Sequence, residues 1–218
     1  MKFEPNIACR GKFITFEGPE GAGKSTQVKL LEEYLKSRGV EVICTREPGG
    51  TPLAEQLRLV VKQHSGAEKI ADLTELLLME AARVQHVQEV ISPALDRGCW
   101  VICDRYSDST CAYQGGGRKM DMQVIAELNA LAMGECVPDL TLLLDLPVAL
   151  GFERTGKRLE TQGEVDRFEQ AGKSFHEDVR SGFLALAAEN PERIKIIDSS
   201  VSPQEIAAQV KRVVDELV

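Results

Sequence analysis

The stretch Lys12-Phe13-Ile14-Thr15-Phe16-Glu17-Gly18-Pro19-Glu20-Gly21-Ala22-Gly23-Lys24-Ser25-Thr26 decides the reading of this chain. An apolar, β-prone run leads into a glycine-rich turn, and an amphipathic segment of helical period follows from Ser25. The turn matches G-x-x-x-x-G-K-[ST] in the strand–loop–helix setting that a P-loop requires. Its glycines let backbone N–H groups turn inward towards phosphate oxygens, and the helix N-terminus adds a partial positive charge. Gly18 through Thr26 are therefore expected to hold the phosphates of a nucleotide. Lys24 is expected to reach the β- and γ-phosphates, and the Ser25 hydroxyl to help hold Mg²⁺. A glycine turn capping a helix through Ser25 is the plainer reading, but both flanks and all fixed positions agree with the motif.

Outward from this stretch, short apolar runs alternate with longer helical periods, the pattern of a parallel sheet covered by helices. Strands are expected at Lys12–Glu17, Glu41–Arg46, Trp100–Asp104, Leu140–Leu146 and Arg193–Asp198. Helices are expected at Ser25–Arg38, Pro52–Gln63, Asp72–Ser92, Asp121–Met133, Val148–Arg158, Asp166–Ala188 and Pro203–Glu216. The predicted fold is α/β: a five-stranded parallel sheet of P-loop NTPase type with helices on both faces. The 218 residues suit a single domain, since a chain of roughly 150 to 300 residues can enclose one core. In such sheets ligands gather where strands end in loops. Gly18–Gly23, Glu47–Thr51 and Arg105–Arg118 are the loops expected there, and Thr155–Glu164 interrupts the helical region after the fourth strand.

Composition narrows the partners. Hydrophobic residues make up 43% and charged residues 28%, ordinary values that argue against disorder. With 34 acidic against 26 basic residues and a net charge of −8, a broad nucleic-acid footprint is not expected, so any phosphate site must be built locally. Apolar runs fall far short of the ~20 residues that span a bilayer. The first thirteen residues lack an apolar core of signal-peptide length, and the six cysteines show no C-x-x-C pairing, so a reducing cytoplasm is expected. His64, His86 and His176 lack metal-ligand spacing and read as structural.

A P-loop does not by itself separate kinases from switches or ATP-driven machines. The guanine-reading N-K-x-D and the D-x-x-G of GTPase switches are both missing from the sequence. The third strand ends in Cys103-Asp104-Arg105, placing a carboxylate where a Walker-B acid holds Mg²⁺ or its water, with an arginine beside it; a plain strand terminator is the other reading of Asp104.

The ordered set Phe16–Thr26, Thr45-Arg46-Glu47-Pro48-Gly49-Gly50-Thr51, Asp104-Arg105-Tyr106 through Ala112-Tyr113-Gln114-Gly115, and Gly163-Glu164-Val165-Asp166-Arg167-Phe168-Glu169 resembles bacterial thymidylate kinases over almost the whole chain after Gly11. The resemblance implies transfer of phosphate from ATP to dTMP. It implies that Arg46 and Arg105 contact the acceptor phosphate, while Glu20 faces the acceptor's sugar and phosphate. A guanidinium suits that task because its rigid fork of donors matches a phosphate dianion. Arg83 is implied to meet the thymine carbonyl, with Thr110 and Gln114 near the base edge. Tyr113 is implied to occupy the space of a ribose 2′-hydroxyl.

One position departs from the family pattern. Met79 stands where an aromatic side chain normally stacks on the base, four residues and thus one helical turn before Arg83. Its thioether can cover a ring with less shape specificity, or it can serve only as core packing. The P-loop contains no arginine, and the resemblance then implies that a lid over about residues 154–166 supplies one. Arg154 and Arg158 are the candidates, although Arg154 and Lys157 also read as a charge cluster at a helix end. The carboxylates of Glu164–Glu169 are implied to organise the lid and acceptor site, and a homodimer through the Met79 helix and the 121–133 helix is implied as well. A kinase for another nucleoside monophosphate or deoxynucleoside shares this chemistry except in the base pocket. A nucleotide-dependent switch or ATP-binding module would have no use for a second arginine-rich site.

Overall fold

The computed structural model describes residues 10–63, 69–162 and 172–217. Its centre is one sheet of five parallel strands, β1 Phe13–Glu17, β2 Val42–Arg46, β3 Trp100–Asp104, β4 Leu140–Asp145 and β5 Ile194–Asp198, in the order β2-β3-β1-β4-β5. Each strand falls within one residue of its expected bounds. The register pairs Phe16 with Asp104 on one side and with Leu142 on the other, bringing the ends of β1 and β3 level.

The pleat divides β1 between two faces. Ile14 and Phe16 join Ile102, Leu142 and Leu144 in a core covered by α1 (Lys24–Ser37), whose Val28, Leu31 and Leu35 pack into it. On the opposite face Phe13 packs with Val101, Cys103 and Tyr106. Thr15 and Glu17 also point there, and both are fully buried. Thr15 Oγ1 hydrogen-bonds Thr141 Oγ1 at 2.8 Å, and Arg193 grips Asp108 with two N–H groups at 2.7 and 2.9 Å. The second face is thus a buried polar layer beneath the strand ends.

The remaining helices are α2 (Pro52–Gln63), α3 (Asp72–His86), α4 (Ser92–Asp96), α5 (Ser107–Thr110), α6 (Met122–Met133), α7 (Val148–Gln162), α8 (Lys173–Glu189) and α9 (Pro203–Val214). The helix expected at Asp72–Ser92 runs on to Asp96 through a π-helical turn, Val87–Ile91.

Two expectations are corrected. Arg105–Arg118 is not a loop: α5 continues into a π-helical segment, Cys111–Gly117. Three glycines and a polar start read as loop, but here they permit close packing, since a Cβ on Gly116 would lie 3.0 Å from the carbonyl oxygen of Asp178 on α8. Tertiary contact overrides local propensity. Likewise α7 does not stop at Arg158 but continues to Gln162. Gly156 alone costs about 1 kcal/mol in a helix, and the surrounding Arg, Lys, Leu and Glu residues outweigh it. Gly163–Ala171, including the Glu164–Glu169 motif, and His64 lie outside the described residues, as do the first nine residues and the side chain of Arg158.

Candidate active site

Adjacent strands β1 and β3 send their chains to opposite faces of the sheet, to α1 and to α5, and the space between their ends is where a ligand fits this topology. A cavity of about 600 Å³ opens there, lined by residues of the P-loop, the β2 and β3 exits, α2, α3, the π-helical segment and α7.

The turn after β1 is strained in the way the motif demands. Gly18 has φ 134°, and a Cβ there would meet the Leu144 carbonyl oxygen at 2.3 Å. Lys24 opens α1 and donates from Nζ to the carbonyls of Gly18 at 3.0 Å and Pro19 at 2.9 Å. Burial lowers its pKa to about 8, and neighbouring Arg105 acts in the same direction against the carboxylates of Glu20, Asp104 and Glu17. Ser25 Oγ donates to Asp104 Oδ2 at 2.8 Å, so the two oxygens meet beside the cradle. Glu20, Gly21, Gly23 and Thr26 also line the cavity; Gly18 and Pro19 contribute to the cradle through their carbonyls, and the side chain of Ala22 packs in the core.

Across the cavity stands Arg105, whose backbone is left-handed, with φ 71°. A non-glycine residue adopts that region at a cost, and only when its surroundings hold it. Here the holder is Glu17. Its carboxyl group accepts the N–H groups of Tyr106 at 2.7 Å and Ser109 at 3.2 Å, and its Oε2 lies 2.5 Å from the Ser109 hydroxyl. The Arg105 guanidinium donates to Ser109 Oγ and the Gly18 carbonyl, both at 3.1 Å, and to Glu20 Oε1 at 2.6 Å and the Tyr113 hydroxyl at 3.1 Å. Arg46, at the end of β2, reaches the same cavity and pairs with Glu55 at 2.8 Å.

Burial raises the Glu17 pKa to about 8, helped by Asp108 and opposed by Ser109, Arg105 and the Tyr106 amide. The folded state therefore binds this proton more tightly than the unfolded chain. Between about pH 4.5 and 8 the stability contributed by this group falls as pH rises, by at most about 1.4 kcal/mol per pH unit for one proton. Glu17→Gln is expected to flatten this slope, so the variant gains on the parent between pH 6 and 8 in urea unfolding. Parallel curves would place the titration elsewhere.

The other end of the cavity is built on α3. Arg83 is 3% exposed, and its donors reach Glu47 at 2.8 Å, Glu80 and Asn129 at 2.6 Å each, and Thr110 at 2.9 Å. Burial opposes its charge, but Glu47 and Glu80 more than offset this and raise its pKa. Met79 is half-buried, lines the cavity and also packs against the Val61 and Tyr113 cluster, so it takes part in both core and pocket wall. Tyr113 and Gln114 line the same wall. Arg154 on α7 lines the cavity and donates to the Ser199 carbonyl at 3.0 Å and the Gly21 carbonyl at 3.4 Å.

The structure adds residues the sequence did not single out. Arg58 and Lys62, one turn apart on α2, line the cavity, and Arg58 donates to the Pro48 carbonyl at 2.8 Å. Their i, i+4 spacing opposite the Arg46 loop was a usable signal. Glu47 is buried, joining Arg83 to His86, whose Nε2 lies 2.6 Å from Thr45 Oγ1. His86 thus has the structural part expected of it, as does His176, buried between the rings of Phe152 and Phe175.

This fold and site define a P-loop phosphotransferase: a glycine-rich cradle with its lysine faces a second cluster of arginines across one cavity. The thymidylate kinase family model matches residues 16–210, and the chain belongs to that family. A thymidylate kinase of Pseudomonas fluorescens is 51% identical over 208 residues, 95% of each chain. One of Citrifermentans bemidjiense is 53% identical over 192 residues, covering 87% of this chain and 85% of the other. The crystal structure of thymidylate kinase from Ehrlichia chaffeensis superposes with a TM-score of 0.76 at 35% identity, covering 94% of this chain and 99% of that one.

Proposed function

We propose that this protein transfers the γ-phosphoryl group of ATP to dTMP, giving dTDP and ADP, as a single-domain enzyme with a lid over about residues 154–166. The observation that carries the reading is the facing of two cationic clusters in one cavity, Lys24 at the donor end and Arg105 with Arg46 at the acceptor end. An acceptor phosphate oxygen attacks phosphorus in line as the bond to the ADP oxygen breaks. The acceptor is already an anion, so no strong general base is required. Lys24 and a lid arginine, Arg154 or Arg158, stabilise charge on the transferring group, and Arg105 and Arg46 align the acceptor. Glu20 holds the Arg105 fork in place.

Ser25 and Asp104 fit a Mg²⁺ site, since their oxygens lie together at the cradle and Mg²⁺ commonly takes one or two protein oxygens with phosphates and water. Bound there, Mg²⁺ would neutralise charge on the donor phosphates.

The base end supports thymine. Arg83 has one N–H beyond the four hydrogen bonds given above for a ring carbonyl, with Met79, Thr110 and Gln114 around it. The decisive experiment is ADP formation with ATP and Mg²⁺ against dTMP, dUMP, UMP, CMP, dCMP, GMP, AMP and thymidine. The largest kcat/KM is expected for dTMP; a different preferred monophosphate would refute the base-pocket reading, and no stimulation by any acceptor would refute the kinase reading.

Tyr113 supports a deoxyribose preference, because its buried ring is held in the cavity wall by edge-on packing against Phe175 and Phe183. Tyr113→Phe is expected to keep the preference for deoxyribo- over ribonucleotide, and Tyr113→Ala to weaken it about tenfold or more by removing a clash. An unchanged ratio in the alanine variant counts against the assignment.

Exposed Leu73, Leu77 and Val84 on α3, with Val124 and Leu131 on α6, support a homodimer through these helices. Sedimentation equilibrium tests it, with Leu77→Glu expected to give monomer. Among the described residues no helix is long and apolar enough to cross a membrane. Free cysteines at positions 44, 99, 103, 111 and 136 support a reducing cytoplasm, and the net charge of −8 supports small-molecule partners over nucleic acid.

A further inference from the structure

Gln114 is fully buried, yet it forms part of the cavity wall. Its Nε2 donates to Glu75 Oε1 at 3.0 Å, and its Oε1 has no hydrogen-bond partner among the described residues. A buried acceptor left unpaired costs about 1–3 kcal/mol, so its presence asks for a donor from the cavity.

The orientation of this amide is dictated by its neighbour. Glu75 is 1% exposed and sits on α3 one turn before Met79 and two before Arg83. Arg118 donates to Glu75 Oε2 at 3.4 Å while Gln114 donates to Oε1, so both oxygens of Glu75 serve as acceptors. Turning the amide over would set the Gln114 carbonyl against the Glu75 oxygen, two acceptors in contact in a buried place. The NH₂ group must therefore face Glu75, and the carbonyl must face away from it.

We propose that Glu75 is a positioning residue that holds the Gln114 carbonyl towards the cavity and so makes the pocket select a pyrimidine bearing a ring N–H. The inference rests on the dTMP kinase reading and names a determinant of its base selectivity. Thymine and uracil present a donor at N3 between two carbonyls, whereas cytosine presents a bare acceptor there. A pocket wall with a fixed acceptor pairs with the first and repels the second. Discrimination of this kind exceeds what an apolar wall achieves, because the wrong base leaves a buried polar group unpaired.

The test compares kcat/KM for dTMP and dCMP in the full chain. Glu75→Gln offers either a carbonyl or an NH₂ group to Gln114, so the amide can turn and the dTMP/dCMP ratio is expected to fall by about tenfold or more, the value of one misdirected buried hydrogen bond. The KM for ATP is expected to stay within about twofold, since the cradle is built on other elements. Glu75→Leu is the second variant; it takes one carboxylate from Arg118, whose Nε also lies 3.7 Å from Asp72, so its folding is confirmed by circular dichroism before the kinetics are read. It leaves Gln114 without a fixed partner, and the same fall in ratio is expected. If either folded variant loses activity on both nucleotides by one common factor, leaving the ratio unchanged, Glu75 is structural only and the proposal is overturned. Failure of the underlying reading shows instead in the parent protein, as a lack of preference for dTMP.

Discussion

Lys24→Met is expected to lower kcat by about three orders of magnitude or more, the scale on which preorganised charge at a transferring phosphoryl group acts, while leaving the fold intact. The ammonium group is buried and fixed by two carbonyls of the P-loop itself. Its position at the cradle is therefore set before any nucleotide arrives. Neither carbonyl loses its last partner when the ammonium is removed, because Gly18 also accepts from Arg105 and Pro19 from the Ala22 amide. Methionine matches the length of the lysine stem, and removing a buried charge can even stabilise. Calorimetry is expected to show Tm unchanged or raised beside a collapse of kcat at saturating dTMP. Lys24→Arg is not expected to restore activity, since a planar fork cannot replace a point charge in so confined a place. A kcat reduced less than tenfold in the methionine variant would remove Lys24 from the transition state.

The sheet was legible because its three central strands are buried on both faces and read as apolar runs, and its half-exposed edge strands β2 and β5 still carry β-branched residues. The cradle was legible because its spacing is fixed by the backbone's approach to phosphate. What escaped notice depends on contacts distant in sequence. Glu17 reads as the last residue of a strand, and nothing local says that its carboxyl group holds the left-handed turn at Arg105, 88 positions away. Gly115–Gly117 reads as loop until α8 is packed against it. Glu75 reads as one of the acids at the start of α3, a place where helices favour negative charge, and only the buried amide of Gln114 gives it another part. Met79 was open between core and pocket, and the structure places it at the boundary of both.

Arg83→Met is the second large effect, and it divides between stability and selectivity. The guanidinium joins Glu47, from the β2 exit, to Glu80 on its own helix, Asn129 on α6 and Thr110 on α5. Removing it leaves two buried carboxylates without their cation, which costs about 3–5 kcal/mol when one partner of a buried pair is lost. The same loss removes the N–H proposed to meet the base carbonyl, so kcat/KM for dTMP is expected to fall by about a hundredfold or more. The KM for ATP is expected to move little, because the cradle is anchored through β1, α1 and Asp104 rather than through α3. Arg83→Lys should recover little of either effect, as one ammonium cannot span four partners held by a planar fork. Urea unfolding measures the first effect and acceptor titrations the second. A destabilised variant with unchanged dTMP kinetics would make Arg83 a core cation only, whereas kinetic loss without destabilisation would mean that Glu47 and Glu80 take up protons or water when the arginine is gone.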